Sequence, residues 1–223
     1  MKIVAVVPVK EKSDRVVSKN FREFFGGKSL FELKLSQLHA ADCFDEIYVS
    51  SDYTSLADRQ SELGFTFIER DVEFCDNVKP WPEVIHQVAA SLPEDDETSV
   101  AWCHTTSPLF DEYSKCVAAY QEKCSGGDYD GLVAVKKISE FLVSEMGLPI
   151  NYAWGPWHKY SQHLPKTFAV NGALFITKKE MMVRNRYVVS PSPYFYETDD
   201  VSSVDVDTDL DFEYAQFLMQ RKL

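Results

Sequence analysis

Ile3-Val4-Ala5-Val6-Val7-Pro8 is an unbroken apolar run. A strand with one face in water alternates apolar and polar residues, so a continuous run belongs to a strand covered on both faces. Further strand signals lie at 46–50, 65–68, 99–103 and 131–135. Helical patterns separate them. One runs through Leu30, Leu33, Leu35 and Leu38, and others span 53–63 and 111–123. A further helix starts near Pro80 and Pro82, where proline suits a first turn. This β-α-β rhythm predicts a mostly parallel sheet with helices on both faces, a three-layer α/β sandwich. Later segments read as a strand at 167–177, an extended stretch at 187–195, a final strand at 203–207 and a helix from Thr208 onward.

The rhythm breaks between residues 136 and 166, where Asn151-Tyr152-Ala153-Trp154-Gly155-Pro156-Trp157-His158-Lys159-Tyr160 is aromatic and lacks a period. A structureless stretch of that length is unusual inside a compact domain. It reads as a lid, a small subdomain or a subunit contact, within one domain of residues 1–223. The 223 residues carry a formal charge of −12. That balance argues against a general nucleic-acid binder, which needs a basic footprint. No apolar run reaches the ~20 residues of a membrane span, and residues 1–8 do not form a signal peptide, so a cytoplasmic location is expected. The five cysteines are odd in number and lack a C-x-x-C pair, so they read as reduced thiols rather than a zinc site.

In an open parallel sheet, ligands sit at the carboxyl ends of the strands. Four segments meet that rule. The loop after the first strand places Lys10, Lys12, Arg15 and Lys19 with Ser13 and Ser18 near a buried strand's end. Cations and hydroxyls there suit a triphosphate, although no Walker glycines are present and a solvated loop has the same composition. Alternation along a strand at 203–207 puts Asp205 and Asp207 on one face, a hard-oxygen pair fit for Mg²⁺. The competing role is capping of the last helix, assigned to Asp209 and Asp211. His104-Thr105-Thr106-Ser107-Pro108 offers small hydroxyls that could read a base or sugar, or form a plain strand-to-helix turn. Asn171-Gly172 interrupts a strand, as a close ligand approach or a bulge would.

Taken in order, these segments resemble the acylneuraminate cytidylyltransferase (CMP-sialic acid synthetase) family. Val7-Pro8-Val9-Lys10 through Ser13 to Lys19-Asn20 is similar to its I-P-A-R-x-G-S-K-x-x-x-x-K-N signature. Gly27-Lys28-Ser29-Leu30 resembles G-K-P-L, Ser50-Ser51-Asp52 resembles S-T-D, and Thr106-Ser107-Pro108-Leu109 resembles T-S-P-L. Asn171-Gly172-Ala173-Leu174-Phe175-Ile176 is similar to N-G-A-I-Y-I, and Asp205-Val206-Asp207-Thr208-Asp209-Leu210-Asp211-Phe212 to D-I-D-T-x-x-D-F. The resemblance implies a Rossmann-like nucleotidyltransferase fold and a homodimer, with residues 136–166 as a dimerisation extension. It implies CTP and an acidic sugar, such as a nonulosonic acid, as substrates, and CMP-sugar and pyrophosphate as products. Carried over by position, Lys19, Lys10 and Arg15 would be catalytic. Pro8, Val9, Lys10, Ser13, Arg15, Lys19, Asn20, Ser51 and Asp52 would hold the nucleotide. His104, Thr106, Ser107 and Asn171 would meet the acid, and Asp205 and Asp207 would hold Mg²⁺.

The sequence departs from the pattern at Lys10, which replaces an arginine, at Glu11-Lys12, and at Asp14, which reverses a charge. Ser13-Asp14-Arg15 is similar to the S-x-R spacing of CMP-KDO synthetases. His104-Thr105 and Phe110 differ from the family where the acid would be read, which points to an acid other than N-acetylneuraminate: another nonulosonic acid, KDO or a phosphonate. Two rival functions share these residues: a glycosyltransferase with Asp205-Val206-Asp207 as a D-x-D site, and a nucleotide-binding homologue without turnover.

Overall fold

A computed structural model describes residues 1–13, 15–76 and 78–222. In chain order they form β1 (Ile3–Pro8), β2 (Glu23–Phe25), β3 (Lys28–Ser29), α1 (Leu30–Ala41), β4 (Glu46–Ser51), α2 (Gln60–Leu63) and β5 (Thr66–Glu69). There follow α3 (Trp81–Ser91), β6 (Ser99–Trp102), α4 (Tyr113–Ser125), β7 (Gly131–Ile138), β8 (Thr167–Lys178), α5 (Lys179–Asn185), β9 (Pro193–Thr198) and α6 (Asp209–Lys222). The central sheet has seven strands in the order β5-β4-β1-β6-β8-β7-β9. Six run the same way; β8 is antiparallel to both β6 and β7. The mostly parallel three-layer expectation holds.

Strand alternation explains the layers. Ile3, Ala5 and Val7 point to one face and pack with Phe31, Leu35 and Leu38 of α1 and Tyr113 and Val117 of α4. Val4 and Val6 point to the other, against Val84, Ile85 and Val88 of α3 and Met182 of α5. A third cluster joins Val16, Phe24, Leu30, Leu109, Val206, Phe212 and Ala215, and it fastens α6 beneath the loop that follows β1. The Ser29 side chain caps α1 by accepting from Glu32 N, and the Glu32 carboxylate accepts from Ser29 N in return, a capping box.

Several elements differ from the sequence expectation. Residues 203–207 form no strand. Ser203 and Val204 give their N–H groups to Asp199 and Val201 carbonyls in a turn, and Val206 N donates across to the Thr106 carbonyl (2.8 Å), so no ladder forms. The helix expected over 53–63 is a 3₁₀ turn at Thr54–Arg59 followed by the single turn of α2. Extended structure expected at 187–195 begins only at Pro193; residues 187–192 form bends, and Pro191 lacks the N–H a ladder needs. β7 continues to Ile138, so the irregular excursion is residues 139–166, carried at the far end of the β7–β8 pair. Among the described residues all five cysteines are free thiols. No helix there is long and apolar enough to cross a membrane.

Candidate active site

At the carboxyl ends of the parallel strands lies a cleft of about 390 Å³, lined by Pro8, Lys10, Ser13, Lys19, Asn20, Arg70, Phe74, Cys75, Lys79, Trp81, Val84, His104, Thr105 and Thr106. Four of these side chains are cationic, which a protein of charge −12 would not gather by chance. A cavity of similar size, about 400 Å³, lies within 150–167, but Lys159 is the one cation among its lining residues.

The loop after β1 is shaped by Asn20, which is buried. Its Nδ2 donates to the Lys10 carbonyl (3.1 Å), its Oδ1 accepts from Thr105 Oγ1 (2.8 Å), and its own carbonyl accepts from Phe31 N (3.0 Å). Ser18 takes a left-handed φ of 51° and its carbonyl accepts from Phe21 and Arg22. A serine rarely adopts that conformation, so the loop stores strain immediately before Lys19. Asn20 thus braces the loop against the β6 turn while lining the cleft. Asp14, the charge reversal noted above, lies outside the described residues.

Lys19 is 12% exposed at its side chain and reaches over to the segment before α6. Its Nζ donates to the Val206 carbonyl (2.7 Å) and stands 3.9 Å from Asp207 Oδ1. Burial holds its ammonium below the ordinary lysine value, opposed by the nearby Asp207 and Asp205 charges. Arg15 is exposed and pairs with Asp207 (2.7 Å). An ion pair between two solvent-exposed groups is weak, about 0–1 kcal/mol, so Arg15 can exchange Asp207 for an incoming phosphate.

The carboxylates are unequal. Asp207 is 44% exposed at its side chain and already meets both cations. Asp205 is raised above the ordinary carboxyl value, chiefly by burial, although Thr106 donates to it. Its Oδ1 is buried and has no partner among the described residues. A buried carboxylate oxygen left bare is rare and suits a hard cation. No group of three His, Cys, Asp or Glu side chains converges among the described residues. Two carboxylate oxygens, completed by water and phosphate oxygens, are a donor set that fits Mg²⁺.

Other expected residues sit elsewhere. Val9 is core; it donates to the Ser50 carbonyl and accepts from Arg70. Ser51 is fully buried and accepts from Tyr53 N (3.0 Å), and Asp52 accepts from Glu11 N (2.9 Å); neither lines the cleft. Ser107 faces inward, and its carbonyl accepts from Lys34 (2.9 Å). Asn171 spends its amide on Thr198 Oγ1 (2.8 Å), Ser203 Oγ (3.4 Å) and Ala173 N (3.2 Å). Phe110 is fully buried edge-on to Tyr113, so the departure at that position is a matter of packing. His104 does line the cleft. Trp102 Nε1 donates to its Nε2 (2.9 Å), which makes Nε2 an acceptor and leaves the proton of the neutral ring on Nδ1. Burial lowers its pKa to about 4, so it presents a neutral ring. Gly172 has φ 74°, and an added Cβ would lie 3.3 Å from His104 Nδ1.

Arg70, at the carboxyl end of β5, was missed. Its Nε donates to Cys75 Sγ (3.0 Å), and it adds a buried cation to the cleft. The signal was available, since an arginine directly after an apolar strand obeys the same strand-end rule.

Sheet order, crossovers and the strand-end cleft define a Rossmann-like nucleotidyltransferase fold. No family model matches the chain. The chain is 23% identical over 219 residues, 95% of its length, to the N-acylneuraminate cytidylyltransferase of Streptococcus agalactiae serotype III, and 25% identical over 99% of its length to that of Escherichia coli O18:K1:H7. It spans about half the length of these relatives, 52% and 53%. Among solved structures, CMP:2-keto-3-deoxy-manno-octonic acid synthetase in complex with CTP superposes with TM-score 0.69 at 13% identity, covering 100% of both chains. The 4-diphosphocytidyl-2C-methyl-D-erythritol synthase of Anaerococcus prevotii superposes with TM-score 0.67 at 10% identity, covering 99% of both. Both relatives are cytidylyltransferases by name.

Proposed function

We propose that this protein is a Mg²⁺-dependent cytidylyltransferase that joins CTP to an acidic sugar and releases pyrophosphate. The observation that carries the reading is the meeting of Lys10, Ser13, Lys19 and Arg70 in one cleft next to Asp205, whose buried oxygen lacks a partner. The names of the relatives, and the CTP carried by one structural neighbour, support cytidine triphosphate as the nucleotide.

In this reading Lys10, Ser13 and Arg15 bind the triphosphate, and Lys19 offsets charge on the leaving pyrophosphate. Asn20 and Thr105 keep the loop at a fixed distance from the β6 turn, which orients the α-phosphorus toward the acceptor. The anomeric hydroxyl attacks that phosphorus and gives up its proton to solvent, and the bond from the α-phosphorus to the bridging oxygen breaks, so that pyrophosphate leaves; no covalent enzyme intermediate is needed. Asp205 and Asp207 would hold Mg²⁺, which supplies Lewis-acid neutralisation of the phosphate oxygens when bound. Thr106 and the neutral His104 ring form the floor on the acceptor side. A homodimer and a cytoplasmic setting belong to the same reading. Trp154, Trp157 and Tyr160 are 56%, 75% and 77% exposed, and large aromatics of this kind are enriched at subunit contacts.

The test is pyrophosphate release from CTP and Mg²⁺ with a panel of nonulosonic acids, KDO and phosphonates. Release with one acid class supports the reading and names the acceptor. No release with any acid, together with no CTP binding by calorimetry, overturns it.

A further inference from the structure

One ammonium in this fold has no part in the reaction outlined above. Lys34 lies in the middle of α1 and is fully buried. Its Nζ donates to the Ser107 carbonyl (2.9 Å) and to the Tyr113 hydroxyl, and sits 5.1 Å from the centre of the Tyr113 ring. The titratable groups around it are Cys103 and His104 just after β6, Tyr113 on α4, Asp111 before α4, and Asp205. Burial raises the Cys103 thiol to about 12 and the Tyr113 phenol well above its usual value, so neither supplies a counter-charge. Among the described residues Lys34 has no carboxylate within salt-bridge distance. A lone buried ammonium destabilises a core, and such groups concentrate where function requires them.

What Lys34 grips is the turn between β6 and α4. From beneath, Lys34 holds the Ser107 carbonyl and Gln37 Nε2 holds the Pro108 carbonyl (2.6 Å). From above, the same turn serves both halves of the cleft. Thr105 Oγ1 donates to Asn20 (2.8 Å), the Thr106 carbonyl accepts from Val206 N (2.8 Å), and the Thr106 hydroxyl meets Asp205. We propose that Lys34 is a positioning residue whose two bonds fix the 105–107 turn, and through it the spacing between the Lys10–Asn20 loop and the Asp205–Asp207 pair. The kinetic part of this inference rests on the cytidylyltransferase reading; the conformational part does not.

Lys34→Met keeps the apolar stem and removes the donors. Three measurements on it decide the matter. Thermal midpoint at pH 7 should equal or exceed wild type, because a buried charge is gone. Amide exchange at Thr105, Thr106 and Val206 should quicken by about tenfold or more as the turn loosens. Pyrophosphate release should lose about tenfold or more in kcat, with KM for CTP little changed, since misplacement of this order weakens the chemical step. Unchanged exchange and unchanged kcat overturn the proposal. So does a lowered midpoint with normal turnover per folded molecule, the behaviour of a lysine that merely packs. If Lys34→Met does not fold, Tyr113→Phe removes one of the two partners, and unchanged exchange at the turn in that variant overturns the proposal equally. Should wild type turn over no acid at all, the cytidylyltransferase reading falls and the exchange comparison alone decides the role of Lys34.

Discussion

Asp205 and Asp207 look equivalent in the sequence and are not in the fold. Asp207 is half-exposed and paired with Arg15, while Asp205 is buried with a bare oxygen. Asp205→Asn should therefore lower kcat by about 10²-fold or more, yet leave the thermal midpoint unchanged or raised, because it removes a desolvated charge. Mg²⁺ titration by calorimetry in the presence of CTP should show the matching loss of metal affinity; retention of both metal affinity and turnover would remove Asp205 from the site. Two other residues contribute to the pH response of stability. His104 titrates near 4 in the fold against 6.5 for an ordinary histidine, so the unfolded chain binds the extra proton between those values. Stability from this group is complete above about 6.5 and falls by up to about 3 kcal/mol toward pH 4. Lys34 titrates at about 8 against 10.5, and again the unfolded chain holds more protons in the window. Stability should thus rise with pH from about 8 to 10.5, and urea midpoints of wild type and Lys34→Met should converge there.

At the scale of elements, the strand rhythm was legible because burial on both faces leaves an unbroken apolar run, as at Ile3–Pro8. The 203–207 segment misled because Val204, Asp205, Val206 and Asp207 alternate as a half-buried strand does. Alternation reports which side chains are buried, not whether a neighbouring strand is free to pair, and here the turn at 199–204 had already used the backbone donors. The same limit explains Ser107 and Asn171. Their residue types suit ligand contact, but only the fold shows that the Ser107 side chain is buried and that Thr198 takes the Asn171 amide inward. Lys10, Ser13 and Lys19 were readable because a strand-end loop has one place to go. Within β7, an added Cβ at Gly131 would come within 2.3 Å of Ser190 Oγ and 2.9 Å of the Ile176 carbonyl. Gly131→Ala should destabilise by about 1–3 kcal/mol through overpacking, measured as a lower urea midpoint. A neutral result would mean that the β7–β8 pair yields more than its register suggests.

For the molecule as a whole, the excursion over 139–166 carries its aromatics outward while the sheet beneath it is complete without them. If that surface is a subunit contact, the double substitution Trp154→Lys and Trp157→Lys should shift the protein from dimer to monomer in sedimentation, with the far-ultraviolet spectrum unchanged. An assembly unaffected by both changes would place the contact elsewhere. The third apolar cluster has a different consequence. Val206 is fully buried between Asp205 and Asp207, and its cluster partners Phe24 and Phe212 belong to the strand below the loop and to α6. The spacing of the two acids is therefore set by how tightly a hydrocarbon side chain is gripped. If the two acids hold a metal ion, natural variation at Phe24 or Phe212 would tune its affinity as a volume knob does. Drift in ion preference should then be sought first among greasy residues that never touch the ion.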